Sequence, residues 1–237
     1  MKLIADSGST KTDWAIIDDS GHVAYFKSSG YNPNYVQREG VLADMEDNFP
    51  KEYAPDQVKE LYFYGAGINS NNASSLESIF REYFPQLSQI QLFSDMLGAA
   101  RALLGHKAGF TAILGTGANS CLYDGEQIIM NVSSLGFILG DEGSGAYMGK
   151  ILLRDYMRET MPEGLRNEFS NFIDMSKPEI ISQIYTKPKP NQFCGSLSSF
   201  AIQRMNTEEY CRSLIKSSFR DFFNNMICLY SDYLDYS

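Results

Sequence analysis

The sequence predicts an α/β protein made of two homologous halves, and three observations carry that expectation. A unit of strand, Gly/Thr-containing turn, strand, turn and strand opens the chain near residue 2 and returns near residue 111. Between the two copies, apolar residues recur at helical spacing in some segments and form short buried runs in others. From Gly145 onward the pattern is helical, so the second half is short of strands.

Taken in order, residues 2–5 are apolar after Lys2, Asp6-Ser7-Gly8-Ser9-Thr10-Lys11-Thr12-Asp13 is polar, and Trp14 to Ile17 is apolar again. That is strand, glycine turn, strand. Asp18-Asp19-Ser20-Gly21 makes a second turn and Val23 to Lys27 a third strand, giving three antiparallel strands. Val41, Leu42, Met45 and Phe49 place a helix over residues 37–48. Leu61 to Tyr64 reads as a buried strand, Leu76 to Phe84 as a helix and Ile90 to Phe93 as another strand. A short helix over Met96 to Leu104 ends at Gly105, in the capping position glycine favours. The second half repeats the opening: strand Thr111 to Leu114, turn Gly115-Thr116-Gly117-Ala118-Asn119, strand Ser120 to Tyr123, hairpin Asp124-Gly125, strand Gln127 to Val132. Two domains are expected, residues 1–105 and 106–237, the second mostly helical in its later part. Were the second a full copy of the first, further strands would follow residue 237, so it is expected to be incomplete at its C-terminal side.

At 237 residues, with 43% hydrophobic and 21% charged residues, the chain excludes collagen-like, coiled-coil and mostly disordered classes. Twenty Lys plus Arg against 29 Asp plus Glu give a net charge of −9, and no basic run gathers the positive charge. Nucleic acid and anionic membrane are therefore not expected as partners. Cys121, Cys194, Cys211 and Cys228 stand far apart with no zinc spacing, which fits reduced thiols in a cytoplasm. The N-terminus meets Asp6 before any signal-peptide stretch can form, and no apolar run approaches the roughly 20 residues of a spanning helix.

The first turn carries the first chemistry. A carboxylate at a strand end, Asp6, followed by small residues leaves backbone N–H groups and hydroxyls free to approach a phosphate, with the acid placed to hold Mg²⁺ through water. An ordinary Gly/Ser hairpin is the plainer alternative. Gly115-Thr116-Gly117 occupies the equivalent place in the second half, and pseudo-symmetric halves would turn the two hairpins into a phosphate clamp across a cleft. Asp95 follows the strand at residues 91–94; it is either a helix N-cap or a carboxylate that orients a hydroxyl attacking phosphorus. Residues 135–145 pack Gly136, Gly140, Gly143 and Gly145 around Asp141 and Glu142, letting backbone approach a polar ligand while Asp141 accepts from two hydroxyls. A Walker A loop fails, because Ser144 stands where its first glycine belongs and Ile151 follows Lys150.

Residues 4–14 (IADSGSTKTDW), 92–100 (LFSDMLGAA), 113–120 (ILGTGANS) and 136–149 (GFILGDEGSGAYMG) together resemble the BadF/BadG/BcrA/BcrD ATPase family, within the sugar kinase, Hsp70 and actin superfamily, and more closely its N-acetylglucosamine kinase-like members. The resemblance spans about residues 2–150. It implies two ribonuclease-H-like domains of the actin-like ATPase fold around a central cleft, and phosphorylation of N-acetylglucosamine or a related amino sugar at the 6-hydroxyl with ATP and Mg²⁺. By the same resemblance Asp6 serves the metal, and Asp6, Gly8, Ser9, Thr10, Lys11, Gly115, Thr116 and Gly117 serve the nucleotide phosphates. Asp95 is then the base, and Asn32, Asp95, Ala118, Asn119, Gly136 and Asp141 contact the sugar, with Asn34 the alternative to Asn32.

Two departures stand against that pattern. Leu135 or Phe137 takes the place of an aromatic residue before the Gly-Asp-Glu-Gly stretch, and after Gly149 only Gly164 and Gly195 remain for a late glycine-rich adenosine motif. Two other functions stay open: an ATPase activating a 2-hydroxyacyl-CoA dehydratase through a bridging iron–sulfur cluster, against which the scattered cysteines argue, and a non-catalytic sugar-binding protein. The expected partners are the amino sugar and ATP, with a homodimer the one macromolecular partnership left open.

Overall fold

The computed structural model describes residues 1–8, 10–33 and 35–231, and the chain divides into two compact units, Met1–His106 and Lys107–Ser237. The first unit opens on β1 (Lys2–Ser7), β2 (Lys11–Ile17) and β3 (Val23–Ser29), an antiparallel meander. It continues through α1 (Arg38–Asn48), β4 (Glu60–Gly65), α2 (Ala73–Tyr83), β5 (Gln89–Ser94) and α3 (Asp95–Leu104). The sheet order is β3-β2-β1-β4-β5, with β4 parallel to β1 and β5 parallel to β4.

Alternation along the strands assigns the two faces of this sheet. Leu3, Ala5, Trp14, Ile16, Leu61 and Phe63 point into a core closed by Val41 and Met45 of α1 and Leu76, Ile79 and Phe80 of α2. The aromatic groups set its geometry: Trp14 stacks on its cross-strand partner Phe26 at 5.4 Å, and Phe63 meets Phe80 at 5.1 Å. The buried indole N–H of Trp14 donates to Ser28 Oγ at 2.9 Å, so the polar end of the ring is satisfied. On the opposite face the register lines up Lys27, Asp13, Asp6, Tyr64 and Phe93, one from each strand. α3 lies on that face, close enough that a Cβ on Gly98 would touch the Tyr64 ring at 3.0 Å.

The second unit repeats the meander as β6 (Gly109–Leu114), β7 (Ala118–Tyr123) and β8 (Ile128–Met130), a three-stranded sheet in the order β6-β7-β8. A four-residue helix α4 (Gly136–Leu139) and then α5 (Gly145–Met157), α6 (Glu163–Ile173), α7 (Lys177–Tyr185), α8 (Pro190–Arg204) and α9 (Glu209–Asn225) complete its described elements. Its main core joins Leu152 and Leu153 of α5, Phe169 of α6, Cys194, Leu197 and Phe200 of α8, and Leu214 of α9. α5 and α8 touch backbone to backbone: a Cβ on Gly149 would lie 1.9 Å from the Cys194 carbonyl oxygen.

Three expectations change. β8 stops at Met130 rather than Val132, because Val132 gives its N–H to the Tyr230 hydroxyl at 3.0 Å instead of to a strand. The glycine-rich segment 135–145 is not loop throughout, since α4 forms inside it, entered through Leu135 at φ 57° and beginning with Gly136 at φ 72°. The N-cap of α3 is Ser94, whose Oγ accepts the Leu97 N–H at 3.3 Å, and Asp95 is the first helical residue. Among the described residues no helix is long and apolar enough to cross a membrane.

Candidate functional site

In the first unit the turn between β1 and β2 is closed by the Gly8 N–H donating to the Lys11 carbonyl at 2.9 Å. Beneath it, Thr12 Oγ1 donates to the Ser29 carbonyl at 2.7 Å, which leaves Ser7 Oγ to donate to Thr12 at 2.7 Å and accept the Tyr31 N–H at 3.0 Å. The turn is also tied sideways, the Gly30 N–H donating to the Thr10 carbonyl at 3.1 Å. Gly8 and Thr10 thus sit on a fixed base with Thr10 exposed to solvent, while Ser9 lies outside the described residues. Lys11 turns toward Asp13 at 2.6 Å, and Lys27 reaches the other Asp13 oxygen at 3.4 Å.

Asp6 and Asp95 lie at the carboxyl ends of β1 and β5, on either side of β4. In sheets of this kind that edge is where ligands bind. Asp95 is half-buried and accepts the Met96 N–H at 2.9 Å. Burial pushes its carboxyl above the usual range, the Met96 N–H opposes that, and the charge of Asp6 raises it further. Asp6 is raised too, first by partial withdrawal from water and then by Asp13, with Lys11 pulling the other way. Two acids both held above their ordinary range are short of positive charge, which fits a hydrated divalent cation held by one or two carboxylates. Among the described residues no group of three ligating side chains forms a closed metal cage.

Asn32 is buried between β3 and α1, and its amide lies against Gly67, where a Cβ would come within 2.7 Å of both terminal atoms. Gly67 has φ +77°, so glycine is needed there for both backbone and space. Asn34 lies outside the described residues.

In the second unit, Gly115, Thr116 and Gly117 form the turn between β6 and β7, closed by the Gly115 N–H donating to Gly117 O at 2.9 Å. The first two amides of α5 hold it: Gly145 N–H donates to Gly115 O at 2.8 Å and Ala146 N–H to Thr116 O at 3.1 Å. A Cβ on Gly115 would meet nothing within 4 Å, so the tip of the turn is open. Asp141 packs against the other end of the turn, Oδ2 standing 3.0 Å from where a Gly117 Cβ would be. Its Oδ1 accepts the Ala118 N–H at 3.3 Å, and the Ser134 hydroxyl bonds it as well. Burial raises the Asp141 carboxyl above its ordinary value, while these two hydrogen bonds and Lys150 oppose the rise. Within the chain, Asp141 thus has one backbone amide and one side-chain hydroxyl as donors. Asp141 also holds φ +59°, a left-handed conformation uncommon outside glycine. Asn119 follows Ala118 on β7, and Gly136 opens α4 and accepts the Gly140 N–H at 2.9 Å.

The structure thus gathers Asp6, Gly8, Thr10, Lys11 and Asp95 at one edge of the first unit, and Gly115, Thr116, Gly117, Ala118, Asn119 and Asp141 at one edge of the second. Asp13 and Ser134 are neighbours that sequence reasoning misses. Asp13 is detectable, since period-2 alternation puts it on the Asp6 face; Ser134 reaches Asp141 only through the fold of the loop. Cys121, Cys194 and Cys211 are buried and Cys228 is half-buried, so the thiols offer no clustered surface ligand set.

A solved structure of a candidate N-acetylglucosamine kinase from Porphyromonas gingivalis is 39% identical to this chain, covers 96% of it and 81% of its own length, and superposes with a TM-score of 0.90. The chain belongs to the N-acetylglucosamine kinase-like group of the BadF/BadG/BcrA/BcrD ATPase family. The actin-like ATPase fold expected of that family is the fold observed. A second candidate N-acetylglucosamine kinase, from Chromobacterium violaceum, matches 94% of this chain and 81% of its own with a TM-score of 0.75; at 15% identity it speaks to the fold alone. No protein-family profile and no curated protein matches the chain.

Proposed function

We propose that this family member is an ATP-dependent sugar kinase that phosphorylates N-acetylglucosamine, or a related amino sugar, at its 6-hydroxyl. The observation that carries the reading is the acid pair at the strand ends: Asp95 at the start of α3, withdrawn from water and within the field of Asp6. The 39% identity to a candidate N-acetylglucosamine kinase supports the choice of sugar.

In this reading Asp95 accepts a hydrogen bond from the attacking hydroxyl and aligns it, and its raised proton affinity suits it to take the proton as the new phosphate ester forms. Asp6 is the residue that would hold Mg²⁺ through water, the ion supplying charge neutralisation on the phosphates when bound. Gly8, Thr10 and Lys11 would meet phosphate oxygens at the first turn, and Gly115, Thr116 and Gly117 at the second. Asn32, Asn119 and Asp141 would hold sugar hydroxyls, Asp141 with the lone pairs that Ala118 and Ser134 leave unused.

The test is ADP release, coupled to an optical readout, over a panel of hexoses and amino sugars with and without Mg²⁺. Turnover with N-acetylglucosamine above the other sugars is expected; equal turnover with no sugar present overturns the kinase reading.

A further inference from the structure

Asn119 and Asn131 form a pair whose orientation is dictated by backbone. The Ser120 N–H can only donate, and it donates to Asn119 Oδ1 at 2.9 Å. The Ser120 carbonyl can only accept, and it accepts from Asn131 Nδ2. The second proton of that Nδ2 goes to Asn119 Oδ1 at 2.8 Å. The backbone of one residue, Ser120, therefore orients both amides: Asn119 spends its oxygen on two donors, and its Nδ2 protons have no partner among the described residues.

A second set of bonds holds Asn131 in reach. The Tyr230 hydroxyl, 1% exposed, bridges Ser120 Oγ at 2.8 Å and the Val132 N–H at 3.0 Å, pinning the chain beside residue 131 to β7. Phe110 on β6 supports that ring edge-on at 5.5 Å.

We infer that Asn131 is a positioning residue that locks the Asn119 amide with its N–H groups outward, so that Asn119 reads a hydrogen-bond acceptor on the substrate: a hydroxyl lone pair, ring oxygen or acetamido carbonyl, and not an ammonium group. The inference rests on the proposed role of Asn119 in sugar binding. An amide free to rotate would meet an acceptor or a donor equally well; the latch removes that choice, and with it the tolerance for a cationic amino group at that point.

The test uses the whole chain and three variants, Asn131→Ala, Asn131→Asp and Asn131→Gln. Asn131 is solvent-exposed, so its truncation to alanine opens no cavity and the variant is expected to fold. Calorimetric titration with N-acetylglucosamine is expected to give about tenfold weaker binding for Asn131→Ala and Asn131→Asp, as for one lost hydrogen bond, with partial recovery in Asn131→Gln and no change in ATP affinity. The Asn119 side-chain ¹⁵N–¹H resonances, read without ligand, are expected to move in Asn131→Asp, because Asn119 Oδ1 loses the Asn131 donor and faces a carboxylate instead. Unmoved resonances, or variants that bind the sugar as the wild type does, overturn the inference. A wild-type chain that binds no sugar overturns the kinase reading instead, and the ligand-free resonances then decide the orientation by themselves.

Discussion

Asp6 and Asp13 occupy directly opposed positions on β1 and β2, two carboxylates on one sheet face with Lys11 and Lys27 both drawn to Asp13. Asp13 thereby raises the proton affinity of Asp6 and also pairs with Lys11, the charge that opposes the rise. Replacing Asp13 by Asn removes the repulsion and releases Lys11, and both changes favour ionised Asp6. If ionised Asp6 is required for activity, the acid limb of the kcat/KM profile shifts to lower pH in Asp13→Asn. An unmoved limb means that Asp6 does not control it.

Asp95→Asn is expected to lower turnover by a factor of about 10² or more, the usual yield of a positioned proton acceptor. Stability moves the other way. A carboxyl raised by burial binds its proton more tightly in the folded than in the unfolded chain, so its cost appears as pH climbs above the ordinary 3.8 and is absent below it. Thermal unfolding should therefore show the Asp95→Asn variant more stable than wild type at neutral pH, the gap closing in acid.

Asp141 carries its left-handed backbone and the Ala118 N–H together, and two substitutions separate them. Asp141→Ala loses the hydrogen bond and keeps the strain; Asp141→Gly loses the bond and relieves the strain. The glycine variant should be more stable by about 1 kcal/mol in urea unfolding followed by helical circular dichroism, with sugar binding lost in both.

Gly67→Ala tests the seat of Asn32. Its φ of +77° costs an alanine about 1–2 kcal/mol, and the new methyl overlaps the Asn32 amide. Trp14, the single tryptophan, lies in the core of the same unit, so its fluorescence reports that unfolding directly. A lowered denaturation midpoint with weakened sugar binding is expected; a lowered midpoint with intact binding separates Asn32 from the sugar.

Much of this architecture is legible in the residue pattern because the strands alternate strictly and the turns carry glycine. β1 to β5 and α1 to α3 lie where periodicity puts them, within a few residues at each end. The Gly105 cap is also where the pattern puts it, at φ +60°. Composition is least informative where side chains, rather than ladders, take up backbone groups. Tyr230 ends β8 early from 98 residues away in sequence, and α4 is entered through Leu135 in the αL conformation, for which leucine has no propensity. The same holds for the site. Asp6, Asp95 and the glycine turns stand at element ends and can be read from order alone, whereas Asn131 and Ser134 reach their partners only once the loop after β8 is folded.

The hydrogen atom that Gly149 presents to the Cys194 carbonyl leaves α5 and α8 no lubricating layer between them. Because the first amides of α5 grip the carbonyls of Gly115 and Thr116, that seam extends to the tip of the turn. The geometry of the turn is thereby inherited from a contact far downstream in the chain.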